Sequence, residues 1–187
     1  KQTEKAAALF AGWQETMIWS CQQGVMGSIY ADSLEVPVSA MALLGDFCFL
    51  AGKPDNELVF YERELEQREF RIMVPQDREW AELIRDCHGE KAKEVVRYAL
   101  KKEPETFDRV RLQAFVNELP QGYTLKTMDK TLFYHCGKMV WCRDWTAQYR
   151  DYTTYQKYGL GAVILQDGEP VSGASSYSGY NGGIEIE

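Results

Sequence analysis

The C-terminal sequence 162–187, AVILQDGEPVSGASSYSGYNGGIEIE, consists of three β-forming runs separated by two short turn signals. Asp167-Gly168 lies between the first two runs, and Asn181-Gly182 lies between the second and the third. Both dipeptides accept the positive φ angles that tight hairpin turns require, so they are strong hairpin signals. The sequence therefore predicts an antiparallel meander with strands at 162–165, 171–180 and 184–187.

The segment that precedes the meander carries one strand signal and two helix signals. Apolar and polar residues alternate over 123–128, directly after a Pro-Gln-Gly turn, which predicts a strand. Asp129 is placed to cap a short helix through Cys136, and Asp144 is placed to cap another through about Tyr152. Aromatic residues recur at roughly helical spacing over 141–158, which indicates either core packing or a pocket wall.

The first half of the chain predicts a mixture of helices and short strands. Apolar residues at three- and four-residue intervals from Ala6 to Cys21 predict one amphipathic helix that Gly24 ends. Asp77 is placed to cap a helix from about Arg78 to Cys87. The remaining predicted elements are strands at 28–31, 47–50, 58–61 and 70–74 and a second helix at about 90–102. The fold class is α+β, and we expect two domains, at 1–110 and 111–187.

Composition and charge exclude several classes of function. The chain has 187 residues, 21 of them basic and 28 acidic, so its formal net charge is −7. Without a basic excess, phosphate contacts cannot supply the affinity for nucleic acid, and we expect no nucleic-acid partner. The apolar run from Val38 to Ala51 is interrupted by polar residues, and no signal peptide begins the sequence, so we expect no membrane partner. Five cysteines, an odd number without a C-x-x-C pair or a signal peptide, indicate reduced thiols in a cytoplasmic protein.

Two clusters of chemically active residues have simpler explanations. His135, Cys136 and Cys142 do not match the spacing of a zinc site, which favours buried thiols beside a partly exposed histidine, and no metal is expected. The serines of 172–178 lack a neighbouring histidine or acid that would activate a nucleophile.

Six segments resemble a bacterial GNAT-type N-acetyltransferase family that carries an additional N-terminal α+β domain. The resemblance rests on 44–52 (LGDFCFLAG), 71–77 (RIMVPQD), 119–123 (LPQGY), 159–161 (GLG), 171–177 (VSGASSY) and 182–187 (GGIEIE). It implies a first α+β domain joined to the N-terminal part of a GNAT fold. It also implies acetyl-CoA as the acetyl donor and a small-molecule or peptide amine as the acceptor.

The resemblance implies roles for residues of the last two predicted strands. Glu185 and Glu187 point to one face of their strand, where either carboxylate would act as a base or bind a cationic acceptor. A solvated polar strand face is the alternative reading. Backbone groups of Ile186 and Glu187 would contact the pantetheine arm of acetyl-CoA. Tyr177 and Tyr180 would line the acceptor pocket, although strand aromatics also serve as packing.

One element of the family pattern does not occur in these 187 residues. GNAT enzymes hold the donor's pyrophosphate on a Gly-rich loop at a helix N-terminus, after the strand that here reads GIEIE. Gly159-x-Gly161 is the nearest candidate, and a plain turn is the favoured interpretation. We therefore expect that activity requires residues beyond Glu187 and that this chain alone is inactive. The alternative is a non-catalytic interaction module.

Overall fold

Two four-stranded sheets organise the computed structural model, which describes residues 2–61, 70–98, 103 and 106–186. The first sheet has the order β1 (Ser28–Ala31), β2 (Ser39–Leu44), β3 (Phe47–Gly52), β4 (Ile72–Pro75), with only the β3–β4 pair parallel. The second has the order β5 (Tyr123–Thr127), β6 (Gly161–Gln166), β7 (Glu169–Tyr180), β8 (Gly183–Ile186) and is antiparallel throughout. The predicted α+β class and the C-terminal meander are confirmed.

Eight α-helices lie among these strands in the described part of the chain. Three precede β4, one follows it directly, and four occur later in the chain. Their bounds are α1 (Gln2–Ala7), α2 (Thr16–Gln23), α3 (Asn56–Val59), α4 (Arg78–His88), α5 (Arg109–Asn117), α6 (Lys130–Cys136), α7 (Asp144–Ala147) and α8 (Tyr152–Tyr158). Among the described residues, none of these helices has the length and apolarity that crossing a bilayer demands.

The helix predicted across Ala6–Cys21 is wrong as a single element. The chain forms α1, a 3-10 turn at Ala8–Phe10, an irregular link and then α2. Gly12 in that link has a φ of 88°, which a right-handed helix cannot include. Trp13 nevertheless packs against Phe49, with ring centroids 5.7 Å apart, so the periodic apolar stripe reflects burial across the break.

In the first half, one strand prediction is wrong and one strand was not predicted. Residues 58–61 belong to α3 and its C-terminal end, because the Asp55 side chain accepts a hydrogen bond from the Glu57 N–H and caps that helix. The strand β2 was not predicted. All six of its residues are buried, so it lacks the alternation by which a half-exposed strand is recognised.

The helix predicted at 90–102 is wrong for the residues that the structure describes. Only a 3-10 turn at Gly89–Lys91 forms, and residues 92–98 have no regular structure; residues 99–102 lie outside the described part. Val95 and Val96 are 63% and 73% exposed, so no apolar face is buried to stabilise a helix. By contrast, α5 was not predicted, although Asp108 caps it.

In the second half, Asp129 caps α6 as predicted, but the helix assigned to Asp144 ends early. Asp144 is the first residue of α7, which spans only four residues. A separate helix, α8, begins at Tyr152 because the Asp151 side chain accepts a hydrogen bond from the Thr154 N–H.

Asp151 gives the fold a measurable dependence on pH. The Thr154 N–H, with the Arg150 side chain, lowers the pKa of the Asp151 carboxyl to about 2. A carboxyl whose pKa is lower in the folded state stabilises the fold above its unfolded pKa, and that contribution disappears as pH falls through the folded pKa. We expect Asp151→Asn, which keeps a capping oxygen, to have a lower Tm than wild type at pH 7 and an equal Tm near pH 2.

Thermal unfolding followed by circular dichroism from pH 7 to pH 2 checks this. Asp167→Asn, at an exposed turn, is the control, and a Tm difference that does not change with pH would contradict the prediction.

The largest cluster of buried apolar residues contains side chains from both halves of the chain. Met17, Ile18 and Phe49 of the first half belong to it together with Phe133 and Val163 of the second. A smaller cluster around the fully buried Trp80 lies within the first half. The division into domains at 1–110 and 111–187 stays a prediction, but extensive apolar contact joins the two segments.

Candidate active site

Glu185 lies on β8, the edge strand of the second sheet in the described part of the chain. Its side chain is half-buried, and one carboxylate oxygen, Oε2, is shielded from solvent. The residue opposite Glu185 on β7 is Ser178, so the two side chains project from the same face of the hairpin. A shielded carboxylate at an accessible sheet edge can bind a cation or accept a proton from one.

Ser178 is fully buried, and its hydroxyl oxygen has no hydrogen-bond partner among the residues that the structure describes. A bulge at Tyr177 shifts the register of β7 immediately before it. Bulges re-aim side chains and occur often beside active sites. The face of the hairpin that carries Glu185 is therefore polar and locally irregular.

Tyr180 lies on the same face, two residues further along β7 than Ser178. Its ring is 5.1 Å from the ring of Trp19 on α2, at an interplanar angle of 49°. Both side chains are half-buried. Tyr180 therefore contacts the first half of the chain, and its predicted role in binding an acceptor stays a prediction.

Tyr177 lies at a second contact with the first half. Its hydroxyl oxygen accepts a hydrogen bond from the Asp46 N–H at 3.2 Å, and its ring meets the edge of Phe47 at 5.7 Å. Gly45, with a φ of 58°, leaves room for that hydroxyl, since a Cβ there would collide with it. The structure thus shows Tyr177 joining the turn between β2 and β3 to β7, and acceptor binding by Tyr177 stays a prediction.

Ile186 follows Glu185 and is 68% exposed at the end of β8. Glu187, the other candidate carboxylate, lies outside the described residues. In the described sheet β8 pairs only with β7, so its other edge presents backbone N–H and C=O groups. Such an edge can pair with the amide groups of an extended ligand.

The serines that precede Ser178 are structural. Ser175 Oγ donates to the Trp145 carbonyl at 2.8 Å, and Ser176 Oγ lies 2.7 Å from the Tyr149 hydroxyl. Burial raises the pKa of Tyr149 to about 12, so that phenol stays protonated at neutral pH. The Tyr155 hydroxyl of α8 also lies 3.0 Å from Ser175 Oγ, so this polar layer fixes β7 to α7, to α8 and to the link between them.

The glycines of the 159–161 segment serve close packing against Tyr155. A Cβ on Gly159 would lie 2.7 Å from the Tyr155 ring, and a Cβ on Gly161 would collide with the Tyr155 hydroxyl. Gly161 then begins β6. These contacts agree with the interpretation of the segment as a turn.

The cysteine–histidine cluster of the sequence is divided between core and surface. Cys136 and Cys142 are buried, and burial raises the pKa of the Cys136 thiol to about 12. His135 instead points outward, where its Nε2 lies 3.0 Å from a Glu169 carboxylate oxygen. All five cysteines are free thiols.

No sequence pattern indicated that α2 contacts the candidate site. Ser20, fully buried, donates from its hydroxyl to the Gly179 carbonyl at 2.7 Å. The Gln23 side-chain oxygen accepts a hydrogen bond from the Asn181 N–H at 2.8 Å. More than 150 residues separate the partners of each bond, so no local pattern could have paired them.

An antiparallel meander packed against helices, with a shielded carboxylate on its edge strand, describes an α+β protein. The model of the GNAT acetyltransferase family matches residues 7–187. A GCN5-related N-acetyltransferase-like protein from Streptococcus suis, known from its crystal structure, is 42% identical, with a TM-score of 0.86. That match covers 100% of this chain and 74% of the Streptococcus suis chain. A comparison with curated proteins found no match.

The chain belongs to the GNAT acetyltransferase family. The resemblance drawn from the sequence is thereby confirmed, and an acetyltransferase function is supported at the level of the family.

Proposed function

We propose that this protein transfers the acetyl group of acetyl-CoA to an amine, with Glu185 as the residue that receives the acceptor's proton. The observation that carries the proposal is the position of Glu185, half-buried on the edge strand of a GNAT fold with one oxygen shielded from solvent. A shielded carboxylate attracts an ammonium group more strongly than a fully solvated one does.

The chemical step requires little beyond positioning and one proton acceptor. Glu185 takes a proton from the protonated amine, directly or through water, which frees the nitrogen lone pair. The nitrogen attacks the thioester carbonyl, a C–N bond forms, and the C–S bond breaks when the tetrahedral intermediate collapses. The CoA thiolate leaves and takes up a proton, while the amide product loses its remaining extra proton. Glu187 is the second candidate carboxylate for the same role.

The donor would lie along the outer edge of β8. Backbone groups at Ile186 and Glu187 are suited to pairing with the amides of the pantetheine arm, because the described edge of β8 carries no other strand. The backbone hydrogen-bonding groups of this strand edge are the observation that supports acetyl-CoA as the donor.

The acceptor is a small-molecule or peptide amine that reaches the Glu185 face of the hairpin. Tyr180 presents an aromatic ring on that face, and aromatic rings favour cations. Tyr177 is the other candidate, although its hydroxyl is engaged with Asp46. Free thiols at all five cysteines support the proposed cytoplasmic location, because thiols stay reduced there.

Acetyl-CoA binding and acetyl transfer test the proposal directly. We expect acetyl-CoA at about 100 times its Kd to stabilise the protein extended beyond Glu187 by roughly 2.7 kcal/mol, visible as a rise in Tm. Free acetate, the control, should give no rise. Transfer is measured as CoA thiol release with a set of amines that includes spermidine, tyramine and a peptide with a free N-terminus. Absence of both binding and transfer would contradict the proposal and favour the alternative of a non-catalytic interaction module.

A further inference from the structure

Helix α2 touches the turn between β7 and β8 through three neighbouring side chains. Trp19 packs on Tyr180, Ser20 donates to the Gly179 carbonyl, and Gln23 accepts from the Asn181 N–H. The three partners are consecutive residues of β7 and the turn. One face of α2 therefore follows the hairpin from the last residues of β7 into its turn.

The bond to Asn181 matters because the strand ladder does not supply it. The last cross-strand pair of the hairpin is Tyr180 with Gly183, so Asn181 lies beyond the ladder. Its N–H finds its acceptor on Gln23, at 2.8 Å. A turn whose backbone is bonded to a helix has fewer accessible conformations than one whose N–H faces only water.

The turn determines where β8 runs, and β8 carries Glu185. Glu185 lies four positions after Asn181, and the short β8 of Gly183–Ile186 pairs with β7 alone in the described sheet. A displacement of the turn is therefore passed on to the carboxylate. Misplacement of a reacting group by about 1 Å can lower a rate by about 100-fold.

We propose that α2 of the first half positions the β7–β8 turn, and through it Glu185, with Gln23 and Ser20 as positioning residues for acetyl transfer. The proposal rests on the proposed function for its catalytic part. It makes the first half of the chain a component of the active site.

Gln23 provides the sharper test, because it is exposed and its replacement leaves the core intact. Gln23→Met keeps the length of the side chain and removes the acceptor, whereas Gln23→Glu keeps an oxygen at that position. Gln22→Met is the matched control, because the Gln22 amide bonds to the Ala7 carbonyl at 3.5 Å and not to the hairpin.

Amide hydrogen exchange reports the contact without any substrate. We expect exchange at Asn181 to be about three- to tenfold faster in Gln23→Met, with smaller increases along β8, because one modest hydrogen bond is lost. Gln23→Glu and Gln22→Met should exchange like wild type. Unchanged exchange at Asn181 in Gln23→Met would overturn the proposal whatever the activity.

Acetyl-transfer kinetics on the same variants, made in the protein extended beyond Glu187, test the catalytic part. We expect Gln23→Met to lower kcat about fivefold or more with the KM for acetyl-CoA nearly unchanged, and Gln23→Glu to restore kcat. Faster exchange with an unchanged kcat would overturn the positioning role. If the wild-type protein transfers no acetyl group, the proposed function and the catalytic part both fail, while exchange still decides whether α2 holds the turn.

Discussion

Replacing Glu185 by Gln is expected to lower kcat/KM for acetyl transfer by about 10²- to 10⁴-fold, the range that a general base contributes. Glutamine keeps the shape and hydrogen-bonding oxygen of the side chain but cannot accept the proton of the ammonium group. Because the donor is proposed to pair with backbone groups of β8 and not with the Glu185 side chain, binding of acetyl-CoA should change little. Steady-state kinetics and acetyl-CoA titration of the same preparations measure the two effects separately.

Glu118→Gln is the matched control for that experiment. Glu118 is an exposed glutamate at the C-terminal end of α5, and its replacement should leave both measurements at their wild-type values. A Glu185→Gln enzyme with more than a tenth of wild-type kcat/KM would show that Glu185 is not the proton acceptor. Glu187→Gln would then be the next variant to measure.

Gly179→Ala is expected to destabilise the fold by about 2–3 kcal/mol, as overpacking of a close backbone contact does. A Cβ on Gly179 would collide with the backbone carbonyl of Tyr158 at the end of α8, and backbone atoms cannot rotate away as a side chain can. The carbonyl of Gly179 is also the acceptor for Ser20, so a shift of β7 would break that bond. Urea unfolding followed by circular dichroism measures the change in unfolding free energy.

Gly24→Ala separates steric crowding from the general effect of adding a methyl group to glycine. Gly24 ends α2 with a φ of 65°, and nothing lies within 4 Å of the Cβ position. We expect a loss of about 1 kcal/mol there, from the left-handed backbone conformation alone. Equal losses in the two variants would show that Tyr158 does not confine Gly179.

The turn and helix-cap predictions below are confirmed, because each depends only on residues that are close neighbours in the chain. Asp167 and Gly168 adopt φ angles of 52° and 90° in the predicted turn between β6 and β7. Asp77 and Asp129 cap the helices that were assigned to them. In each case the residues that form the turn or cap lie within three or four positions of one another, so the sequence displays the whole interaction.

Apolar periodicity was a less reliable guide, because it records burial and not backbone conformation. The stripe from Ala6 to Cys21 is buried, yet Gly12 breaks the helix within it. The fully buried β2 showed no alternation and was missed. In both cases the apolar pattern followed burial: the first segment packs against the first sheet, and β2 is a central strand of that sheet.

The sequence by itself determined the antiparallel meander, the family and the strand on which Glu185 lies. Only the tertiary structure decided what surrounds that strand. It engaged Tyr177 with Asp46 and brought α2 against the turn at Asn181. The physical reason is distance along the chain: turns and caps are closed by near neighbours, whereas the contacts around Glu185 join residues that only the folded core brings together.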